Sequence, residues 1–264
     1  MGKLRILGSG TSTGVPEIGC TCPVCTSTDP RDNRLRASSL LHTDDAVILI
    51  DCGPDFREQM LRASSFEKID GVLVTHEHYD HVGGLDDLRP FGRFADIPIY
   101  SDAYTAAHLR ARMPYCFVDK VYPGVPRIYL QEVEAGQVFH INRTEVLPLR
   151  VMHGRLPILG YRIGGRLGYI TDMHMMPEES YEQLKGLDVY TENEQHDMPI
   201  EKKFDWGLCG GPGIELRTGI GSFLLEGRYY YALSDIFNSR KEDYFSKSSS
   251  QVISAKITYM IPGF

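Results

Sequence analysis

No apolar run in the 264-residue sequence approaches the about 18–20 residues that a membrane-crossing helix needs. The opening Met1-Gly2-Lys3-Leu4-Arg5-Ile6 has no apolar signal core and no cleavage site, and it runs straight into a strand-like stretch. Positive charge is not in excess. Lys and Arg number 28 against 35 Asp and Glu, a formal net charge of −7, so no basic field favours a long nucleic acid. The six cysteines do not form a disulfide framework, since only three cluster and no secretory signal opens the chain. There is no internal repeat and no low-complexity linker. Histidine is absent from residues 197–264. These absences lead us to expect a cytoplasmic chain with no membrane partner. What is present, 42% hydrophobic residues, is ample for one large α/β domain or one domain with an appendage.

The chemistry concentrates in six residues: His76, Glu77, His78, Tyr79, Asp80 and His81. They follow the apolar run Gly71-Val72-Leu73-Val74-Thr75, which reads as a buried strand. Imidazole is the commonest metal ligand and carboxylate suits hard cations. A single surface histidine is usually just that. Three imidazoles and a carboxylate leaving one strand end are better satisfied by metal than by hydrogen bonds alone. Side chains alternate in extended backbone, so His76 and His78 can grip one ion. Asp80 and His81, past the turn, can face a second. Two metals about 3.5–4 Å apart suit a bridging hydroxide and displacement at phosphorus. The glycines of Val82-Gly83-Gly84-Leu85-Asp86-Asp87-Leu88 allow close backbone approach, and the rest is expected to open a helix.

Two further ligands are offered at strand ends. His153 closes the apolar, β-branched run that begins at Thr144, and Asp172 follows Leu167-Gly168-Tyr169-Ile170-Thr171. Each alone is an ordinary turn or cap residue. Their order behind the first cluster makes both candidate ligands, and His174 is left outside. Cys20, Cys22 and Cys25 supply three thiols within six positions, dense enough for a structural tetrahedral zinc that lacks its fourth ligand. Idle reduced thiols in a turn remain the alternative. Arg34 and Arg36 could meet a substrate phosphate, but arginines paired with their acidic neighbours are at least as good a reading.

Strands are predicted near Leu4–Leu7, Ser38–His42, Ala46–Asp51, Gly71–Thr75, Ile97–Tyr100, Val146–Met152, Leu159–Ile163 and Gly168–Ile170. Helices are predicted at Phe56–Ala63 and Pro177–Lys185, the second with early carboxylates and Gly186 just past its end. A further strand begins at Leu187-Asp188-Val189-Tyr190. Elements of both kinds alternate, as an α/β sandwich requires.

In this order the motifs resemble the metallo-β-lactamase superfamily. The nearest branch is the PhnP-like cyclic phosphate phosphodiesterases. Gly8-Ser9-Gly10-Thr11-Ser12-Thr13-Gly14-Val15-Pro16, the cysteine triplet, Leu49-Ile50-Asp51-Cys52-Gly53-Pro54-Asp55, His76–His81, His153 with Gly160-Tyr161, and Thr171-Asp172 carry the resemblance over residues 3–189. It implies an αββα sandwich with metals at one edge. It implies His76, His78 and His153 on a first divalent ion, Asp80 and a late histidine on a second, His81 at the second site, and Asp172 bridging them. The ions would be Zn²⁺ or Mn²⁺. Asp51 is implied behind a ligand imidazole, and the cysteine zinc would take a C-terminal histidine. The implied substrate is a small cyclic phosphate ester of the phosphoribosyl kind. An RNA 3′-end nuclease, another hydrolase of the fold, or an impaired metal-binding domain are the rivals. A homodimer stays open.

From Tyr190 the resemblance stops. We therefore expect a domain over 1–189 and a divergent segment over 190–264, with an altered or incomplete end to the sandwich. Periodicity reads as weak in that segment. The late histidines of the family have no counterpart except His196, which reads better as a surface residue than as a substitute ligand or acid. A diverged end, a frameshift and a poorly ordered appendage all fit. The abrupt stop within a strand favours the frameshift.

Overall fold

The computed structural model describes residues 2–118, 123–187, 189–193, 207–210, 213–218, 221–232 and 251–260; beyond 187, side chains are described only at Leu216. The chain divides into two compact units, Met1–Gln195 and His196–Phe264.

The first unit is a sandwich. One six-stranded sheet runs in sequence order through β1 (Lys3–Gly8), β2 (Ser38–His42), β3 (Val47–Ile50), β4 (Gly71–Leu73), β5 (Ile97–Ser101) and β6 (Ile128–Glu132). The other is ordered β11-β10-β9-β8-β7, with β7 at Phe139–Ile141, β8 at Thr144–His153, β9 at Leu156–Ile163, β10 at Leu167–Thr171 and β11 at Val189–Asn193. The helices are α1 (Phe56–Ala63), α2 (Tyr79–Val82), α3 (Ala103–Arg112) and α4 (Glu178–Gln183).

Period-2 alternation assigns each strand residue to a layer. In β3, Leu49 joins a cluster with Phe56 and Met60 of α1, Leu88 and Leu109 of α3, while Ile48 and Ile50 face a second cluster with Leu159, Tyr161 and Tyr169. Val72 and Leu73 of β4 split the same way. The second sheet's outer positions, Leu149, Val151, Ile158 and Ile170, pack with Leu184 just past α4. The layers are therefore helix, sheet, sheet, helix. Strands buried on both faces read as unbroken apolar runs, which is why Val47–Ile50 and Gly71–Leu73 were legible.

Differences from expectation have local causes. The strand at 71 stops at Leu73, because the backbone then turns to present the histidine loop. The helix expected within 82–88 is displaced. A short α2 begins at Tyr79, and residues Leu85–Arg93 form a 3-10 helix containing Pro90. Helix α3 and strands β6 and β7 were not anticipated. For α3 the missed signal is Asp102, whose carboxylate accepts from Thr105 N at 2.9 Å as an N-cap. Asp55 stands at the start of α1 but caps nothing. It accepts instead from Arg36 N at 2.8 Å and Arg36 Nη1 at 2.7 Å. Arg36 is thus tied to an acidic neighbour, and Arg34 donates to Arg31 O at 3.3 Å.

The first unit extends past 189 because β11 pairs in parallel with β10, Leu167 opposite Val189 through Thr171 opposite Asn193. The second unit holds an antiparallel sheet: β12 (Gly207–Gly210) and β13 (Gly213–Thr218) both pair with β14 (Gly221–Ala232), and β15 (Gln251–Met260) pairs with its other edge. Strand pairing here is regular although the sequence is only weakly periodic, since Leu224 and Val252 share a face with Glu226 and Lys256. His196 lies outside the described residues.

Candidate metal centre

Asp51 sits directly after β3 in the left-handed region, at φ 57°. That turn drives its fully buried carboxylate between strands. Asp51 Oδ1 accepts from Thr75 N at 2.8 Å, and Oδ2 accepts from His81 Nδ1 at 2.8 Å. The Thr75 hydroxyl reaches both Asp51 oxygens, at 3.1 and 3.0 Å, and lies 3.0 Å from His76 Nδ1. A hydroxyl that donates to the carboxylate accepts from His76 Nδ1–H. His76 then carries hydrogen on Nδ1 and presents the Nε2 lone pair, the tautomer a metal ligand needs, and Asp51 likewise leaves Nε2 as the His81 atom that would face an ion.

The loop that bears them is held by backbone. Cys52 N donates to His81 O at 2.7 Å, and Gly84 N donates to Cys52 O at 2.9 Å. A Cβ on Gly84 would meet Gly53 O at 2.0 Å, so glycine is required there. Arg112 of α3 donates to Glu77 O at 3.0 Å, and the Tyr161 hydroxyl donates to Val74 O at 2.6 Å.

Two groups of donor atoms result, each with all members within 4.8 Å of one another: His76, His78 and His153, and His76, His81 and Asp172. They share His76. His153 arrives on the last residue of β8, and Asp172, at φ 52°, follows β10. Asp172 Oδ2 lies 2.6 Å from His81 Nε2 and 3.6 Å from His76 Nε2. Asp80 Oδ2 lies 3.2 Å from His81 Nε2, at the rim and outside both groups. His78 is exposed, His153 half-buried and His76 buried. His174 is exposed and belongs to neither group.

The electrostatics separate two imidazoles. Burial, reinforced by the neighbouring His81, His78 and His153, pushes His76 far below the usual histidine range. Burial acts in the same direction on His81, but Asp51, Asp172 and Asp80 outweigh it and raise its pKa well above the ordinary value. Surroundings that favour a proton at His81 favour a cation equally. The donor set therefore fits divalent ions, and one detail tests this: His76 Nε2 is buried and has no hydrogen-bond partner. An orphaned buried nitrogen costs free energy unless something electrophilic meets it.

A second group joins Cys20, Cys22 and Cys25, whose sulfurs lie within 4.8 Å of one another, against the expected 4 Å. All three are free thiols. Cys22 Sγ accepts from Cys25 N at 3.4 Å, and this bond with the adjacent thiols lowers its pKa to about 7. Cys25 Sγ accepts from Glu17 N at 3.4 Å.

The family model described as "Beta-lactamase superfamily domain" matches residues 47–195, more than half of the chain and the stretch that carries every histidine and carboxylate of the centre. The chain belongs to the metallo-β-lactamase superfamily. A solved structure described as a new diphosphatase from the PhnP family shares 40% identity at TM-score 0.64, covering 72% of this chain and 73% of that one. Among curated relatives, a Porphyromonas gingivalis protein named octanoyltransferase is 46% identical over 217 residues, 78% of this chain but 44% of its own length. A Listeria innocua ribonuclease Z is 30% identical over 165 residues, 61% of this chain and 49% of its own. The chain thus spans about half the length of the curated relatives it matches. A second model, "Outer membrane protein beta-barrel domain", matches residues 159–238 and so runs across both units. Among this superfamily member's described residues, no helix is long and apolar enough to cross a membrane.

Thr75 is the functional residue that sequence reasoning missed. It looks like one more β-branched strand residue, and only the fold brings Asp51 to its hydroxyl.

Proposed function

We propose that this metallo-β-lactamase superfamily hydrolase is a metal-dependent phosphodiesterase acting on a small cyclic phosphate ester. The observation that carries the reading is the pair of donor groups sharing His76, with Asp172 set between His76 and His81. His76, His78 and His153 would hold one divalent ion, Asp80 and His81 a second, and Asp172 would serve both. Such a pair supplies water activation and charge neutralisation at phosphorus.

The chain's own residues do the rest. Asp51 and Thr75 fix the ring orientation and tautomer of His81 and His76. Buried walls around His76, His81 and Asp172 exclude bulk water on that side, while exposed His78 and half-buried Asp80 leave the other side open to an ester. Burial raises the Asp80 carboxyl, but the hydrogen bond and charge of His81 outweigh it and hold it below the ordinary value, so Asp80 would serve as an ionised ligand. The second ion is expected to bind more weakly, since residues 197–264 contain no histidine. Cys20, Cys22 and Cys25 would hold a structural zinc that braces their loop. The diphosphatase relative supports a phosphoester, and the ribonuclease Z likeness supports a nuclease as second reading. The net charge of −7 favours the small ester.

The test is hydrolysis of bis(p-nitrophenyl) phosphate and of a phosphoribosyl cyclic phosphate by protein loaded with Zn²⁺ or Mn²⁺. Diesters should be cleaved faster than monoesters, and Asp172→Ala should abolish turnover and metal retention together. Activity that survives both chelation and that substitution would show the site to be wrongly assigned. Cleavage of a precursor RNA in preference to the small diesters would favour the nuclease.

A further inference from the structure

The sheet of the second unit sorts its charged residues to one face, which they share with Leu224, Tyr230, Val252 and Met260, and the register makes the sorting explicit. Phe223 pairs with Tyr259, Leu225 with Ile257, Gly227 with Ala255 and Tyr229 with Ile253 across β14 and β15. On the other edge Leu216 pairs with Phe223, Ile214 with Leu225 and Leu208 with Tyr231. Paired residues share a face. That face therefore carries Leu208, Ile214, Leu216, Phe223, Leu225 and Ile257 with no charge at all. Every charged residue of the described strands, Glu215, Arg217, Glu226, Arg228 and Lys256, falls on the opposite face, where Glu226 pairs with Lys256.

We propose that this sheet is wall of a membrane-embedded β-barrel, its uncharged face set against the hydrocarbon of a lipid bilayer. Two features on the page choose a bilayer over a second copy of the chain. First, β14 has 12 residues and β15 has 10, which matches the about 9–11 residues of a tilted bilayer-spanning strand. Second, aromatics stand near both ends of the face, Phe223 with Tyr259 at one and Tyr229 with Tyr231 at the other. Aromatic girdles flank the apolar band of such barrels. Leu216 on this face is 62% exposed, as either occupant requires. The likeness of residues 159–238 to an outer membrane β-barrel domain points the same way for the part of it within this unit. The expectation of no membrane partner rested on helix length, a criterion blind to strands.

The test refolds the full chain from urea into didecanoylphosphatidylcholine vesicles and floats them through a density gradient. The protein should rise with the lipid and stay with it through an alkaline carbonate wash. Leu225→Arg and Ile257→Arg should reduce the floated fraction about tenfold or more, whereas Ser254→Arg and Thr258→Arg on the charged face should leave it within about twofold. Metal content measured in each variant reports that the first unit is still folded. Wild-type protein left in the aqueous fraction would overturn the proposal. So would equal losses on both faces, or a soluble dimer cross-linked through cysteines placed at 225 and 257.

Discussion

Asp51 shows how much one side chain can organise. Its two oxygens accept from the Thr75 amide and hydroxyl and from His81 Nδ1 with no exposure to solvent. Asp51→Ala would strand those donors, at a cost of about 3–5 kcal/mol for breaking a buried ionic pair. Urea unfolding should show that loss, and zinc affinity should fall about 10–100-fold as His81 loses its orienter. Asp80 is the contrasting case. It is half-buried at the rim, so Asp80→Ala should leave the unfolding midpoint nearly unchanged while diesterase kcat falls about 100-fold or more, as expected of a group at the reacting atoms. Equal effects of the two substitutions on stability would mean that their places in the centre are misjudged.

At the scale of elements, the centre depends on how closely two loops approach. Gly53 and Gly84 bring the turn after β3 against the end of the histidine loop, with Gly84 N bonded to Cys52 O at 2.9 Å. A Cβ at Gly84 would meet the backbone oxygen of Gly53, which cannot swing aside. Gly84→Ala should therefore destabilise by about 1–3 kcal/mol and loosen metal at His81, read by thermal unfolding and metal titration. The cysteine loop forms a separate element with its own expected outcome. Cys22→Ser should remove one zinc equivalent and increase cleavage by proteinase K near residues 17–27 without touching the histidine centre. Unchanged zinc stoichiometry would leave the three sulfurs as idle thiols.

At the scale of the first unit, Asp45 ties the two sheets together. From the turn between β2 and β3 it accepts from Arg143 N, and from the Thr144 hydroxyl at 2.9 Å, between β7 and β8. The Arg143 amide bond chiefly holds its carboxyl below the ordinary value of 3.8, against a smaller opposing effect of burial. A carboxyl depressed in the folded state contributes stability above its unfolded pKa and loses it as pH falls through the folded one. Asp45→Asn should lower Tm at neutral pH, and the gap from wild type should close below about pH 3.8. Metal acts on the same unit by mass action. Chelation should lower its Tm, since a ligand at 100 times its Kd stabilises by about 2.7 kcal/mol. A Tm indifferent to chelator would count against a bound ion.

The order of strands through β4, the extent of α1, the histidine cluster and the strand-end places of His153 and Asp172 were all legible in the linear sequence. Each rests on local pattern: unbroken apolar runs, alternation, or donors packed within a few positions. Tertiary structure decided what depends on distant segments meeting. The meeting of Asp51 with Thr75 joins residues 24 apart in sequence, and the two donor groups share His76 only because two sheets converge at one edge. The second unit repeats the lesson. Its alternation is weak in the sequence, and only the register across β14 collects the charged residues onto one face, because pairing, unlike periodicity, is a property of two strands at once.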